Sequence, residues 1–364
     1  MRYAAIMAGG AGTRLWPMST KEVPKQLIPF ISGRSLMEIA ADRLDGLVDE
    51  PNRLICTGES HREVIKRSLP KFGDDQILGE PIGRDTLNAV GFTAAVVAKQ
   101  DPDAVMAIFT ADHVIEPINT FQERVRIAYE VAERVPNALV TFGITPTHPA
   151  TGYGYVHVNQ PLAGFENVRR VEAFKEKPDE VTAKRYLEHG RYLWNSGMFV
   201  WKASTLLDCI KRYRPDTHAG LMKIADAWGT DQQQAVLEQV YPTLEKISVD
   251  YAVLEPAGRD ENVSLVTVEM PVRWLDVGSW PSYGETLKPD NDGNRTSAEK
   301  AIFMDTTNTL IVSDDDDHLV ATIGLSDIVI VKTGKATLIC HKDVAQRIKD
   351  MHAQVADRFG DEYL

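Results

Sequence analysis

Two textures alternate through the first half of the chain. Tyr3–Met7, Leu54–Thr57, Gln76–Leu78, Val105–Thr110 and Ala138–Phe142 are short apolar, β-friendly runs of the length of buried strands. Between them, Ser35–Leu47, His61–Leu69, Thr86–Lys99 and Phe121–Arg134 carry helical patterns. The alternation predicts an α/β unit, a Rossmann-like mixed, mainly parallel sheet flanked by helices. Ligands of such sheets gather outside the carboxyl ends of the strands, so the chemistry is sought there.

From Thr151 the pattern shifts. Thr151–Val158 is a Gly-hinged entry into a strand, Val171–Phe174 is another, and Tyr192–Trp201 a third, with Trp194, Met198, Phe199 and Trp201 as core. Ala203–Asp226 and Gln232–Tyr241 predict a helical insertion without a chemical motif, and Val263–Met270 a strand. Past Pro289, the polar stretch Asp290–Thr296 marks a linker. Short β-branched pieces follow at Ala301–Phe303, Thr309–Val312, Leu319–Ile323, Ile328–Lys332 and Ala336–Ile339, each bounded by turn residues. A domain over 1–289 and a small C-terminal all-β unit over 290–364, closed by a helix at Val344–Val355, are therefore expected.

The first strand leads into AGGAGTRLWPMSTKEVPKQL, Ala8–Leu27. Gly9, Gly10 and Gly12 let the backbone turn sharply and bring N–H groups close to an anion. Thr13-Arg14 after Gly12 excludes a Walker loop, and Leu15 stands where a dinucleotide fingerprint needs its third glycine. The glycines alone would make an ordinary structural turn. Arg14 and Lys25 add two fixed cations, and that combination suits a triphosphate.

Other strand ends carry acids. Glu80 follows Gln76–Leu78, and a carboxylate can accept the N1–H and N2–H₂ that guanine offers side by side. Asp85 or Thr86 could simply cap the next helix. Asp112 ends Val105–Thr110; it can cap, or it can serve Mg²⁺, a hard ion that takes one or two carboxylates plus phosphate oxygens and water. His113 is read as structural. Glu176 and Asn195 offer the directional hydrogen bonds that recognise a sugar. Asp250 can face a sugar site, though a cap before a short helix explains it nearly as well, and a cap before the helix near Trp280 is the plain alternative for Asp276. The Asp314–Asp317 run lacks the spacing of a calcium loop and is expected to be a solvated turn.

Bulk properties narrow the classes. With 364 residues the chain can bury a large core. No apolar run approaches membrane-span length, and the N-terminus shows no secretory signal. Cys56, Cys209 and Cys340 lack metal-ligand spacing, as expected of reduced thiols in a cytoplasm. A net charge of −12 argues against nucleic-acid and anionic-membrane partners, so cations for a polyanion must be concentrated locally.

GGAGTRLWPMS followed by PKQL resembles the signature loop of the sugar-1-phosphate nucleotidyltransferases, and Trp16 with Pro24-Lys25-Gln26 is most similar to the mannose-1-phosphate guanylyltransferases. Further similar pieces recur to about Trp280, including Glu245–Glu255 and Arg273–Trp280. Asp85, Leu87 and Asn88 depart from the usual Asn, Ala and Pro. The resemblance implies a GT-A-like nucleotidyltransferase fold with an appended short left-handed β-helix; the additional isomerase domain of larger relatives is not expected in these residues. It implies nucleotide contacts from Ala8, Gly9, Gly10, Gly12, Thr13, Arg14, Lys25, Glu80, Arg84, Asp85, Thr86 and Asp112. Sugar-phosphate contacts are implied for Gly154, Glu176, Lys177, Asn195 and Asp250, and Mg²⁺ ligation for Asp112 and Asp276.

The implied reaction transfers GMP from GTP to α-D-mannose 1-phosphate, with Arg14, Lys25, Asp112 and Asp276 catalytic. No Ser-His-Asp or Cys-His arrangement is visible, and none is needed: a sugar phosphate, with a second pKa of about 6, is already largely a dianion at neutral pH. A homodimer is expected by analogy alone. The alternatives are another hexose or heptose 1-phosphate, another base, or a catalytically silent nucleotide-sugar-binding regulator. Intact Arg14, Lys25, Asp112 and Asp276 speak against the last.

Overall fold

Strand β1 (Arg2–Met7), buried at its four central positions, lies inside a nine-stranded sheet. Its apolar side chains fill both faces, as a central strand of a covered sheet requires. With it are β2 (Arg53–Gly58), β3 (Ile77–Glu80) and β4 (Val105–Thr110). A short strand β5 (His113–Glu116) stands outside this sheet; β6 (Ala138–Ile144), β7 (Gly154–Pro161), β8 (Val168–Lys175), β9 (Tyr192–Lys202) and β10 (Ser264–Glu269) complete it. The order is β3-β2-β1-β4-β9-β6-β10-β8-β7. β1 is parallel to β2 and β4, and β10 to β6, whereas β9 runs antiparallel to β4 and β6, and β8 to β10. The mixed, mainly parallel α/β sheet is thus present.

The computed structural model describes residues 1–10 and 12–364; Ala11, within the Ala8–Leu27 stretch, lies outside the described residues. Two compact units divide the chain, each assembled from separate segments. The first comprises Met1–Gly9, Ala40–Ala111 and Ile115–Trp274; the second comprises Gly10–Ile39, Asp112–Val114 and Leu275–Leu364.

In the first unit, the helix Asp85–Gln100 packs against helices Ala203–Tyr213 and Pro215–Ala227. Gly91 permits the close crossing, since a Cβ there would stand 2.6 Å from Leu221 Cδ1. Phe92, Trp201, Leu206, Ile210 and Tyr241 belong to the buried core around it. Full burial of each large apolar side chain contributes on the order of 2 kcal/mol. The helical stretch predicted over Ala203–Asp226 is broken at Pro215, whose ring removes an N–H and disfavours helical backbone at Arg214.

In the second unit, Leu15, Trp16, Ile28 and Phe30 share a core with Val277, Trp280, Tyr283, Leu310 and Val329. After β11 (Arg273–Asp276) come the short strands β12 (Arg295–Thr296), β13 (Ala301–Met304), β14 (Leu310–Ser313), β15 (Val320–Ile323), β16 (Ile328–Lys332) and β17 (Thr337–His341). β12, β14 and β16 stack in parallel, as do β13 and β15, while β17 returns antiparallel to β16. Thr307 meets Ser326 and Asn308 meets Asp327, both at a spacing of 19 residues, so successive turns repeat as β-helix coils do. Lys332 pairs with Asp315 at 2.6 Å and Lys300 with Asp317 at 2.9 Å, which makes the acidic run a lysine-countered turn. The closing helix runs over Ile348–Phe359, later than predicted, because Lys342–Arg347 forms a tighter 3₁₀ turn that buries Ala345.

Candidate active site

The glycine-bearing loop belongs to the second unit from Gly10 onward. Gly10 and Gly12 adopt φ of 97° and 62°, the left-handed region open to glycine. At Gly12 the constraint is double: an added Cβ would lie 2.5 Å from Ser19 Oγ and 2.8 Å from Lys25 Cβ. The turn therefore folds tightly over the base of Lys25. Thr13–Leu15 forms a 3₁₀ turn, and Lys25–Leu27 forms a second one that buries Lys25 and Gln26.

Lys25 Nζ donates to Asp112 Oδ2 at 2.6 Å, with side-chain exposures of 10% and 23%. Val277 N–H donates to the Asp112 carbonyl at 3.0 Å, which fixes the stretch bearing Asp276 beside Asp112. Asp112, His113 and Asp276 each present a ligand atom within 4.8 Å of the others. Burial works against the Asp112 charge, but the Lys25 ammonium and then His113 outweigh it and hold the carboxyl down at about 2. Asp276 moves the other way: burial and then the Asp112 charge raise it, against the pull of His113, Lys25 and Arg14. Two acids forced together while flanked by cations form a site with a standing demand for positive charge. The two carboxylates suit a hard divalent ion that completes its shell with phosphate oxygens and water, with the imidazole beside it.

Arg14 donates to Gln346 Oε1 at 3.0 Å. It also borders Asp276 across Gly278, where an added Cβ would stand 3.3 Å from Asp276 Oδ1 and 3.4 Å from an Arg14 terminal nitrogen. Trp16 Nε1 donates to the Tyr363 carbonyl at 2.6 Å, and Trp280 Nε1 to the Trp16 carbonyl at 3.0 Å. The unit thus brings Arg14, Lys25, Asp112 and Asp276 into one cluster. It also adds His113, expected from the sequence to be structural, beside the two acids.

The first unit carries the other candidates in two groups. At the end of β3, Glu80 is 7% exposed and accepts a hydrogen bond from the Tyr241 hydroxyl at 2.5 Å. Burial raises Glu80 to about 7, opposed by the Tyr241 hydrogen bond. Asp85 adopts φ 66°, a left-handed conformation that Asp and Asn tolerate, and its Oδ1 accepts from Thr86 N–H at 2.8 Å. Arg84 donates to the Pro242 carbonyl. The Thr86 hydroxyl accepts from Val249 N–H at 3.0 Å. Asn88, one of the departures from the resembling motif, is buried and donates to the carbonyls of Arg84 at 2.6 Å and Glu245 at 2.7 Å. Ala8 N–H is bonded to the Cys56 carbonyl at 2.8 Å, so its amide serves the sheet.

The second group is a buried polar chain. Thr141 donates to Asn195 Oδ1 at 2.5 Å, and Asn195 Nδ2 donates to Asp250 Oδ1 at 2.9 Å. Lys177 pairs with Glu176 at 3.1 Å. Gly154 makes room for that acid, since a Cβ there would lie 2.5 Å from Glu176 Oε2. Burial and then the Glu176 charge lift Asp250 to about 7. Asp250 opens a π-helical turn, Asp250–Leu254, instead of capping a helix. In the sequence Thr141 and Tyr241 look like core; only their buried hydrogen-bond partners, Asn195 and Glu80, set them apart.

Residues 3–292 match the family described as Nucleotidyl transferase, and residues 299–355 match the MannoseP isomerase/GMP-like beta-helix domain. The mannose-1-phosphate guanylyltransferase of Escherichia coli strain K12 is 35% identical over 360 residues, covering 97% of this chain and 73% of the relative. The alginate biosynthesis protein AlgA of Pseudomonas aeruginosa is 35% identical over 358 residues, covering 96% and 72%. A solved structure described as mannose-1-phosphate geranyltransferase from Thermus thermophilus superposes with a TM-score of 0.85 at 30% identity, covering 97% of this chain and 99% of that one.

Proposed function

The chain belongs to the nucleotidyl transferase family, and on that premise we propose that it transfers GMP from GTP to α-D-mannose 1-phosphate, releasing diphosphate and forming GDP-mannose. The observation that carries this reading is the cluster of Lys25, Arg14, Asp112 and Asp276 in one unit, two cations against two acids. The activity named for relatives at 35% identity supports the choice of substrates.

In the reaction, an oxygen of the sugar phosphate bonds to the α-phosphorus of GTP. The bond from that phosphorus to the bridging oxygen breaks, and its electron pair leaves with diphosphate. The nucleophile is already ionised, so charge and alignment form the barrier. Lys25 and Arg14 would neutralise the departing diphosphate, which gains charge as the bond breaks. Asp112 and Asp276, with His113 beside them, would hold Mg²⁺, which when bound supplies positive charge to phosphate oxygens. Gly9, Gly10, Gly12 and Thr13 would line the nucleotide phosphates. Glu80, with Arg84, Asp85 and Thr86 shaping its surroundings, would read the base. Gly154, Glu176, Asn195 and Asp250 would hold the sugar, and Lys177 would steady its phosphate.

The proposal extends to the cytoplasm as the place of work, which the free thiols Cys56, Cys209 and Cys340 support. It also extends to a homodimer; exposed Ile302, Met304 and Ile323 on β13 and β15 support such a partner, and light scattering tests it. The central test incubates purified protein with GTP, Mg²⁺ and mannose 1-phosphate beside a panel of other nucleotides and sugar phosphates. GDP-mannose and diphosphate should form in equal amounts. A faster reaction with another pair would reassign the substrates, and no product with any pair would favour a regulatory binder.

A further inference from the structure

Tyr241 lies at the end of a helix without a recognisable motif, yet its side chain is fully buried and its ring meets Phe92 edge-on with centroids 5.8 Å apart. Its hydroxyl donates to Glu80 Oε1 at 2.5 Å. The other carboxylate oxygen, Oε2, faces Gly9, where a Cβ would stand 3.9 Å away. The segment carrying Tyr241 is tied to the turn after β3 and to the start of the helix Asp85–Gln100 at four more points: Arg84 to Pro242, Asn88 to Glu245, Leu87 N–H to the Ile247 carbonyl, and Val249 N–H to Thr86. The transfer step gives a buried phenol here no task, since neither proton nor charge moves at this point.

We propose that Tyr241 is a positioning residue for base selection, fixing the Glu80 carboxylate so that its remaining acceptor sites meet the N1–H and N2–H₂ edge of guanine. The inference rests on the assignment of Glu80 to the base. An ionised carboxylate offers about four lone-pair sites, so one hydroxyl leaves ample capacity for two N–H donors. It also anchors a terminal torsion that is otherwise broad. The hydroxyl further helps keep the group ionised. Burial drives Glu80 toward its neutral form and the nearby Asp85 adds to that, while the Tyr241 hydrogen bond opposes both. The Cys56 thiol on β2 and the Arg84 guanidinium are the other ionisable neighbours of the pair. Were Glu80 protonated, its O–H would confront the guanine N1–H, donor against donor, whereas adenine N1 could accept it.

The test compares Tyr241→Phe, Glu80→Gln and the double variant in the full-length protein, using GTP, ITP and ATP from pH 6 to pH 9. At pH 7, Tyr241→Phe should raise KM for GTP about tenfold with kcat within about twofold. The loss should shrink toward pH 9, where Glu80 ionises without help, and the preference for GTP over ATP should narrow. In the Glu80→Gln background, Tyr241→Phe should have no further effect on base preference. If Glu80→Gln changes the preference while Tyr241→Phe changes neither KM nor its pH profile, the positioning role is overturned and the base assignment stands. If Glu80→Gln leaves the preference unchanged, the base assignment itself falls. Equal losses for all three nucleotides, or a loss undiminished in the double variant, would make Tyr241 a packing residue only. Should Tyr241→Phe fold poorly, the Glu80 titration followed by ¹³C NMR in wild type and Tyr241→Met decides: a Glu80 pKa higher in the variant than in wild type supports the role, and an unchanged one overturns it.

Discussion

Lys25 Nζ stands 2.6 Å from Asp112 Oδ2, so the cation proposed for the leaving diphosphate rests on an acid proposed for the metal. The Lys25 ammonium helps hold the Asp112 carboxyl ionised. Under the proposed function, the arrival of polyanionic substrate and a divalent ion would make the two groups exchange partners, coupling substrate charge to metal charge.

Lys25→Ala should therefore strike turnover rather than sugar-phosphate binding. A fall in kcat of about 10²- to 10³-fold is expected, the range for losing one preorganised electrostatic group. Calorimetric affinity for mannose 1-phosphate should change less than about threefold. Equal losses in both would contradict the role.

Asp276→Asn removes one of two acids whose mutual repulsion invites a cation. The Mg²⁺ concentration giving half-maximal activity should rise by about tenfold or more. An unchanged metal titration would take Asp276 out of the site.

Gly12→Ala would place a Cβ against Ser19 Oγ and Lys25 Cβ at a positive φ. The strain is of the order of 1–3 kcal/mol, and it falls on the loop that aims Lys25. Reduced kcat with a lowered melting temperature is the expected pair of results. Wild-type kinetics would show that the loop relaxes freely.

Asp250 and Asp112 give opposite pH dependences. With Asp250 raised to about 7, the folded state holds more protons than the unfolded one, so this acid costs stability as pH climbs from about 4 to 7. Asp250→Asn keeps an acceptor for Asn195 and should stabilise the protein by roughly 1 kcal/mol at pH 8 and hardly at all at pH 4. Asp112, held at about 2, lends stability above about pH 4 that is lost as pH falls toward 2. Thermal melts across pH would show a gain for Asp250→Asn confined to the alkaline side; a gain independent of pH would refute the assignment.

The sheet was legible because strand and helix periodicities are local, and Tyr3–Met7 or Val105–Thr110 could hardly be anything but buried strands. Arg14 and Lys25 were legible as candidates for phosphate because they sit on a glycine turn, where two fixed cations call for an explanation. The sequence could not disclose pairings across long separations. Asp112 meets Asp276 and Arg14 meets Gln346 only through the fold, and Tyr241 carries no mark that distinguishes it from core. The 19-residue coil spacing was hidden because its rungs share β-branched character, not identity.

The second unit has a consequence for the order in which the chain can mature on a ribosome. Leu15, Trp16, Ile28 and Phe30 emerge early, yet their apolar partners Val277, Trp280, Leu310 and Val329 all follow the first unit along the chain. A nascent chain halted near residue 274 could assemble its large sheet, while the glycine turn and Lys25 would wait without the surface that shapes them. Competence for chemistry would then wait until these coils wind.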